Sequence, residues 1–172
     1  MLYKLILVDD ERKTRETLSR IIDWKSLGFE IAGTFESAER AIRYIDNHIV
    51  DCVLSDIRMT NMSGMDLAEY LFKNKPHIKI VLISGYQDFE YAFNALKFNV
   101  SNYLLKPTKP SDLSSAFLSI KNSLDIDSSY LKIYSQYKRD LFNDIIVGFY
   151  ANSSKIGKLI EDLNIGITLD TG

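Results

Sequence analysis

One cysteine, two histidines and three prolines are all that the 172 residues contain of those types, and each scarcity removes a class of answer. With Cys52 alone, inside an apolar run, no internal disulfide is possible. The thiol reads as a small buried hydrophobe in a protein of a reducing compartment. His48 and His77 have no acid or cysteine at ligand spacing, so there is no zinc signal and no candidate catalytic histidine. No apolar run approaches the roughly 18 residues of a membrane span, and no basic-then-apolar leader is seen, so the expectation is a cytoplasmic protein. A net charge of −2 gives no field for capturing nucleic acid.

What is present is a 46% hydrophobic chain, long enough for one complete domain plus an appendage. Four apolar runs each end in a polar residue: Leu5 to Val8 before Asp9 and Asp10, Val53 to Ser55 before Asp56, Ile80 to Ile83 before Ser84, and Tyr103 to Leu105 before Lys106. Phe29 to Phe35 supplies one more strand. Between the runs, apolar residues recur at helical spacing: Leu18, Ile21 and Ile22; Ala38, Ala41, Ile42 and Ile45; Leu67, Tyr70 and Leu71; Phe89, Ala92, Phe93 and Leu96; and Leu113, Ala116, Phe117, Ile120 and Leu124. The alternation predicts five βα units, a doubly wound α/β fold around a parallel sheet. The runs at Leu5, Val53 and Ile80 are apolar on both faces and belong at its centre, whereas Phe29 to Phe35 suits an edge. Gly28, Gly64, Pro76 and Pro110 punctuate the borders.

After about Ile126 the alternation stops, which divides the chain into a domain over 1–125 and a C-terminal helical extension over 126–172. Asp127-Ser128-Ser129 is placed to cap a new helix through Phe149, with Tyr130, Tyr134, Tyr137, Leu141, Ile145 and Phe149 on one face. A short helix from Asn152 or Ser153 and a strand over Ile165 to Leu169 would follow, as the start of a further, truncated domain. The apolar stripe needs a partner, either the preceding domain or a second chain.

Parallel strands bring Asp9, Asp10, Asp56, Ser84 and Lys106 to one carboxyl edge, where open α/β sheets place their sites. Gathered carboxylates repel each other and invite a hard, oxygen-loving cation such as magnesium. Asp56, the lone acid at its strand end, is then the candidate reactive group, while Asp9 and Asp10 hold the metal. Lys106 suits a phosphoryl oxygen, and the Ser84 hydroxyl would reach a group carried on Asp56. Taken singly, Asp10 also reads as a helix N-cap, Asp56 as a turn acid and Tyr103 as core. Jointly, those readings leave unexplained why Ser84 and Lys106 also fall at strand ends.

Leu-Val-Asp-Asp-Glu, Leu-Ser-Asp-Ile-Arg-Met, Leu-Ile-Ser-Gly-Tyr and Tyr-Leu-Leu-Lys-Pro resemble the receiver domain of bacterial two-component response regulators, over about Met1 to Leu124. The resemblance implies a flavodoxin-like five-stranded sheet of order 2-1-3-4-5. It implies that Asp56 accepts phosphate from a sensor histidine kinase. Asp10 would bind Mg2+ directly and Asp9 through water, with Asp56 and the Arg58 backbone carbonyl completing the protein ligands. Ser84 and Tyr103 would be the switch pair, Lys106 the phosphate-contacting lysine, and the peptide before Pro107 cis. Homodimerisation on phosphorylation would follow, read out on the fourth helix, fifth strand and fifth helix.

Asp23-Trp24, Gly28-Phe29-Glu30 and Ser84 through Ala92 further resemble the subgroup with an AraC-type helix-turn-helix output, helped by Arg139 to Phe142 and Leu163 to Ile167. DNA would be read only through a C-terminal domain missing from these residues. Two departures from the family pattern stand out: Thr60 where proline is usual, and Glu39-Arg40 where asparagine-glycine is common. The competing functions are a phosphorylation-independent dimerisation module and a phosphatase with an aspartyl nucleophile. The intact acidic pocket argues against the first. Asp9-Asp10-Glu11 leading straight into a helix argues against the second.

Overall fold

The structure is a computed structural model that describes the backbone of residues 2–85, 95 and 97–146, with side chains up to residue 140. Five strands, β1 (Tyr3–Val8), β2 (Phe29–Phe35), β3 (Cys52–Asp56), β4 (Lys79–Ser84) and β5 (Asn102–Leu105), form one sheet of order β2-β1-β3-β4-β5. Every neighbouring pair is parallel. Helices α1 (Arg12–Leu18), α2 (Ala38–Asn47), α3 (Gly64–Asn74) and α4 (Pro110–Ile146) complete the described elements. This is the expected doubly wound α/β architecture, with the Phe29 run on an edge. The expected helix at Phe89 to Leu96, the residues around Phe149, the helix from Asn152 or Ser153 and the strand at Ile165 to Leu169 lie outside the described residues, apart from Ala95.

Strand periodicity sorts the core into two layers. Leu5, Leu7, Cys52, Leu54, Val81 and Ile83 face a cluster with Leu18, Trp24, Phe29 and Phe117. Ile6, Val8, Val53, Ile80 and Leu82 face a second cluster with Ala41, Ile45, Leu67 and Leu71. Phe117 meets Trp24 and Phe29 edge to face, with centroids 4.7 and 5.2 Å apart, the geometry that aromatic quadrupoles favour. The three strands apolar on both faces are central because only there is each face covered. Every fully buried large side chain then contributes about 1.5–3 kcal/mol.

Two boundaries differ from the sequence expectation. Helix α1 stops at Leu18, and Ile21 and Ile22 lie in bends beyond it, although both still pack on the Trp24 cluster. The Trp24 indole N–H donates to the Leu18 carbonyl at 2.9 Å and occupies an acceptor that a further turn would use. Asp127-Ser128-Ser129 caps no new helix, because α4 runs unbroken from Pro110 to Ile146. The Ser129 hydroxyl donates back to the Asp125 carbonyl at 2.8 Å, four residues earlier. No glycine or proline interrupts residues 111–146. Chain compactness divides the molecule into units Met1–Leu124 and Asp125–Gly172. In the second, Ile126, Tyr130, Leu131, Ile133, Tyr134 and Tyr137 are exposed.

Candidate functional site

Four polar side chains are buried among the described residues, and all four lie where β1, β3 and β4 end: Asp9, Ser55, Asp56 and Ser84. The strands deliver them there because neighbouring registers are nearly level, Val8 pairing with Ser55 and Asp56 with Ile83. Asp56 closes β3 and is buried, so it is no turn acid on the surface. Its backbone is pinned by the Ser55 hydroxyl, which donates to the Asp56 carbonyl at 2.9 Å. Gly64, at the start of α3, packs so tightly there that a Cβ would sit 2.2 Å from that same carbonyl oxygen. Ser63 and Asp66 cap α3 reciprocally, Ser63 Oγ accepting from the Asp66 amide at 3.1 Å and Asp66 Oδ2 from the Ser63 amide at 2.9 Å.

Lys106, just past β5, reaches back over the edge. Its Nζ lies 2.7 Å from Asp56 Oδ1 and 3.3 Å from Asp9 Oδ2. The Lys106–Pro107 peptide is cis. Asp9 is further oriented by the Glu11 amide, which donates to Oδ1 at 2.9 Å, and by the Arg15 guanidinium, which donates to the Asp9 carbonyl at 2.5 Å. Burial pushes the Asp9 carboxyl above its ordinary value; the Glu11 amide and Lys106 oppose this, and the nearby Asp56 charge adds to it. Burial alone would depress the Lys106 ammonium, but its hydrogen bond to Asp56 and the charges of Asp9 and Asp56 leave it raised.

The remaining sequence candidates are placed differently. Asp10 is exposed and accepts from the Thr60 hydroxyl at 2.9 Å on Oδ2. It is not the N-cap of α1, a position that Glu11 takes without any side-chain cap bond. Arg58 is exposed in the loop after β3. Ser84 is buried at the end of β4, next to the strand that carries Asp56. Tyr103 is half-buried and packs against the cluster containing Ile80 and Leu82. Among the described residues, no three His, Cys, Asp or Glu side chains converge as a ready metal cage.

The donor chemistry nonetheless suits a hard cation. Two buried carboxylates share the Lys106 ammonium. All the acidic donors are oxygens, which magnesium takes. Arg15, Thr60, Gly64 and Glu39, whose Oε1 accepts from the Met62 amide at 3.3 Å, are contributors that the sequence reading did not assign. For Thr60 and Glu39 the available signal was that each departs from the family pattern.

Known proteins place this arrangement. The profile of the response regulator receiver domain matches residues 5–118. Over 140 residues the chain is 31% identical to the uncharacterized transcriptional regulatory protein YesN of Bacillus subtilis, covering 81% of this chain and 38% of YesN. It is 33% identical over 114 residues to the transcriptional regulatory protein HptR of Staphylococcus aureus, covering 65% and 44%. The chain thus spans less than half the length of these curated relatives. Among solved structures, the receiver domain of AraT from Geobacillus stearothermophilus matches at TM-score 0.69 and 33% identity, covering 74% of this chain and 99% of that one. A two-component transcriptional regulator AraC from Clostridium phytofermentans matches at TM-score 0.66 and 32% identity, covering 71% and 95%. With two thirds of its length inside that profile and the sheet order and acidic edge to match, this chain belongs to the response regulator receiver domain family.

Proposed function

We propose that Asp56 is the phosphoacceptor of a transcriptional response regulator, taking its phosphoryl group from the phosphohistidine of a cognate sensor kinase. The observation that carries this reading is the single Lys106 ammonium bridging the buried Asp56 and Asp9 carboxylates. A carboxylate oxygen of Asp56 attacks phosphorus, the N–P bond breaks, and the imidazole nitrogen keeps the electron pair and takes up a proton. Lys106 passes its hydrogen bond from Asp56 to a phosphoryl oxygen. Asp9, Asp10, Asp56 and the Arg58 carbonyl would hold Mg2+. When bound, the ion supplies the positive charge that lets an anionic phosphoryl group approach anionic Asp56.

Readout follows from the product. Ser84 Oγ is drawn to the phosphoryl oxygens and Tyr103 turns inward behind it, which changes the surface around β5 and favours a homodimer. The AraT and AraC neighbours support an AraC-type output. In this reading the DNA-contacting step belongs to a C-terminal domain outside these residues. In this reading the receiver works in the cytoplasm; none of the described helices is long and apolar enough to cross a membrane. The test is incubation with a small phosphodonor and Mg2+. Wild type gains one phosphoryl mass and Asp56→Asn gains none; equal gain by both would remove Asp56 from the role.

A further inference from the structure

Both departures from the receiver pattern touch the same loop, residues 57–63, which links β3 to α3 beside Asp56. Thr60 Oγ1 donates to Asp10 Oδ2 across 50 positions of sequence, and the Met62 amide donates to Glu39 Oε1 across 23. The loop is also held at both ends, by the Gly64 amide donating to the Ile57 carbonyl at 2.9 Å and by the reciprocal Ser63–Asp66 cap. Thr60 is therefore presented to Asp10 from a fixed backbone, and the hydrogen bond costs little additional ordering. Proline, the usual residue there, has no hydroxyl with which to make it.

We propose that Thr60 is a positioning residue that sets the affinity of the acidic pocket for divalent cations by holding the Asp10 carboxylate in the loop and out of the pocket. This rests on the reading of Asp9, Asp10 and Asp56 as the magnesium ligands. Asp9 and Asp56 meet at Lys106, while Asp10 is occupied with Thr60, and among the described residues no third acid joins the pair. Loading the cation then requires Asp10 to exchange a charge-assisted hydrogen bond for the metal, which weakens binding by the worth of that bond. Glu39 supports the arrangement from the far side of the loop by fixing Met62.

The test is titration of the metal-stripped chain with Mg2+ at constant ionic strength, followed by backbone amide shifts in NMR. Thr60→Val keeps the shape and removes the hydroxyl, and should bind Mg2+ about two- to fivefold more tightly, the low end for the net worth of a hydrogen bond because this one is exposed to water. Thr60→Ser keeps the donor and should stay nearer wild type than Thr60→Val. Wild-type or weaker affinity in Thr60→Val, with wild type itself saturating, overturns the role of Thr60 and leaves the metal site standing. Absence of any saturable Mg2+ response in wild type overturns both the metal site and this inference. Thermal unfolding of each variant confirms that a folded chain was titrated.

Discussion

Strand β3 has an aspartate at each end, and the two live in opposite circumstances. Asp51, at the amino end, accepts the Lys4 amide at 2.6 Å, and its own backbone bonds Lys4 and Lys79. Next to it Lys4 and Glu30 form an ion pair with side chains 41% and 36% exposed, so the charges there are wet. At the carboxyl end, Asp56 is 8% exposed and Asp9 1%, and they share one ammonium. The amino end satisfies its charges locally. The carboxyl end keeps an unmet demand for positive charge and for a group that Lys106 and Ser84 can engage, at a cost in stability that the two apolar layers absorb.

The largest effect should come from crowding the tight contact between Gly64 and the Asp56 carbonyl. Gly64→Val puts a branched side chain where a Cβ alone would lie 2.2 Å from the Asp56 carbonyl. We expect a loss of about 3 kcal/mol in denaturant unfolding, together with loss of phosphoryl uptake. A variant as stable and as reactive as wild type would show that the carbonyl can move freely.

Lys106→Met keeps the stem and removes the cation that bridges the two carboxylates. Because Lys106 is a third exposed, the expected cost at neutral pH without metal is about 1–2 kcal/mol, below that of breaking a dry ion pair. Wild-type stability would mean the pocket is better solvated than its burial suggests.

Asp9→Asn should act in the opposite direction. Since the native Asp9 carboxyl lies above its ordinary value of 3.8, the folded state holds that proton more tightly than the unfolded state does. The acid's contribution to stability therefore falls as pH rises from 3.8 through its raised native value, and stays low above it. The metal-free asparagine variant should be the more stable protein at neutral pH, with an advantage that fades as pH approaches 3.8 from above. Thermal unfolding across that range checks the sign. The smallest effect belongs to the amino end, where Glu30→Ala should cost no more than about 0.5 kcal/mol and less at high salt.

The strands of this fold were legible because their apolar runs stop at polar residues, and central strands buried on both faces cannot afford a polar interruption. Ile21 and Ile22 kept helical spacing yet fell outside α1, because a tertiary contact, the Trp24 indole on Leu18, decided where the helix ends. Asp127-Ser128-Ser129 looked like a cap in isolation, but hydroxyls inside a helix bond back to its own carbonyls and do not end it. In the site, the carboxylates and the lysine could be assigned to an edge by strand polarity alone. Thr60 with Asp10 joins two loops and Glu39 with Met62 joins α2 to a loop, and no local period reports such pairs.

The most direct measurement is the location of the phosphoryl group on the wild-type chain, trapped after reaction with a small phosphodonor and Mg2+ and mapped by peptide mass spectrometry. The account predicts a single acyl phosphate on Asp56 that fails to form when the metal is chelated. Modification of Asp9, Asp10 or Ser84 in its place, or metal-independent labelling of Asp56, would contradict it.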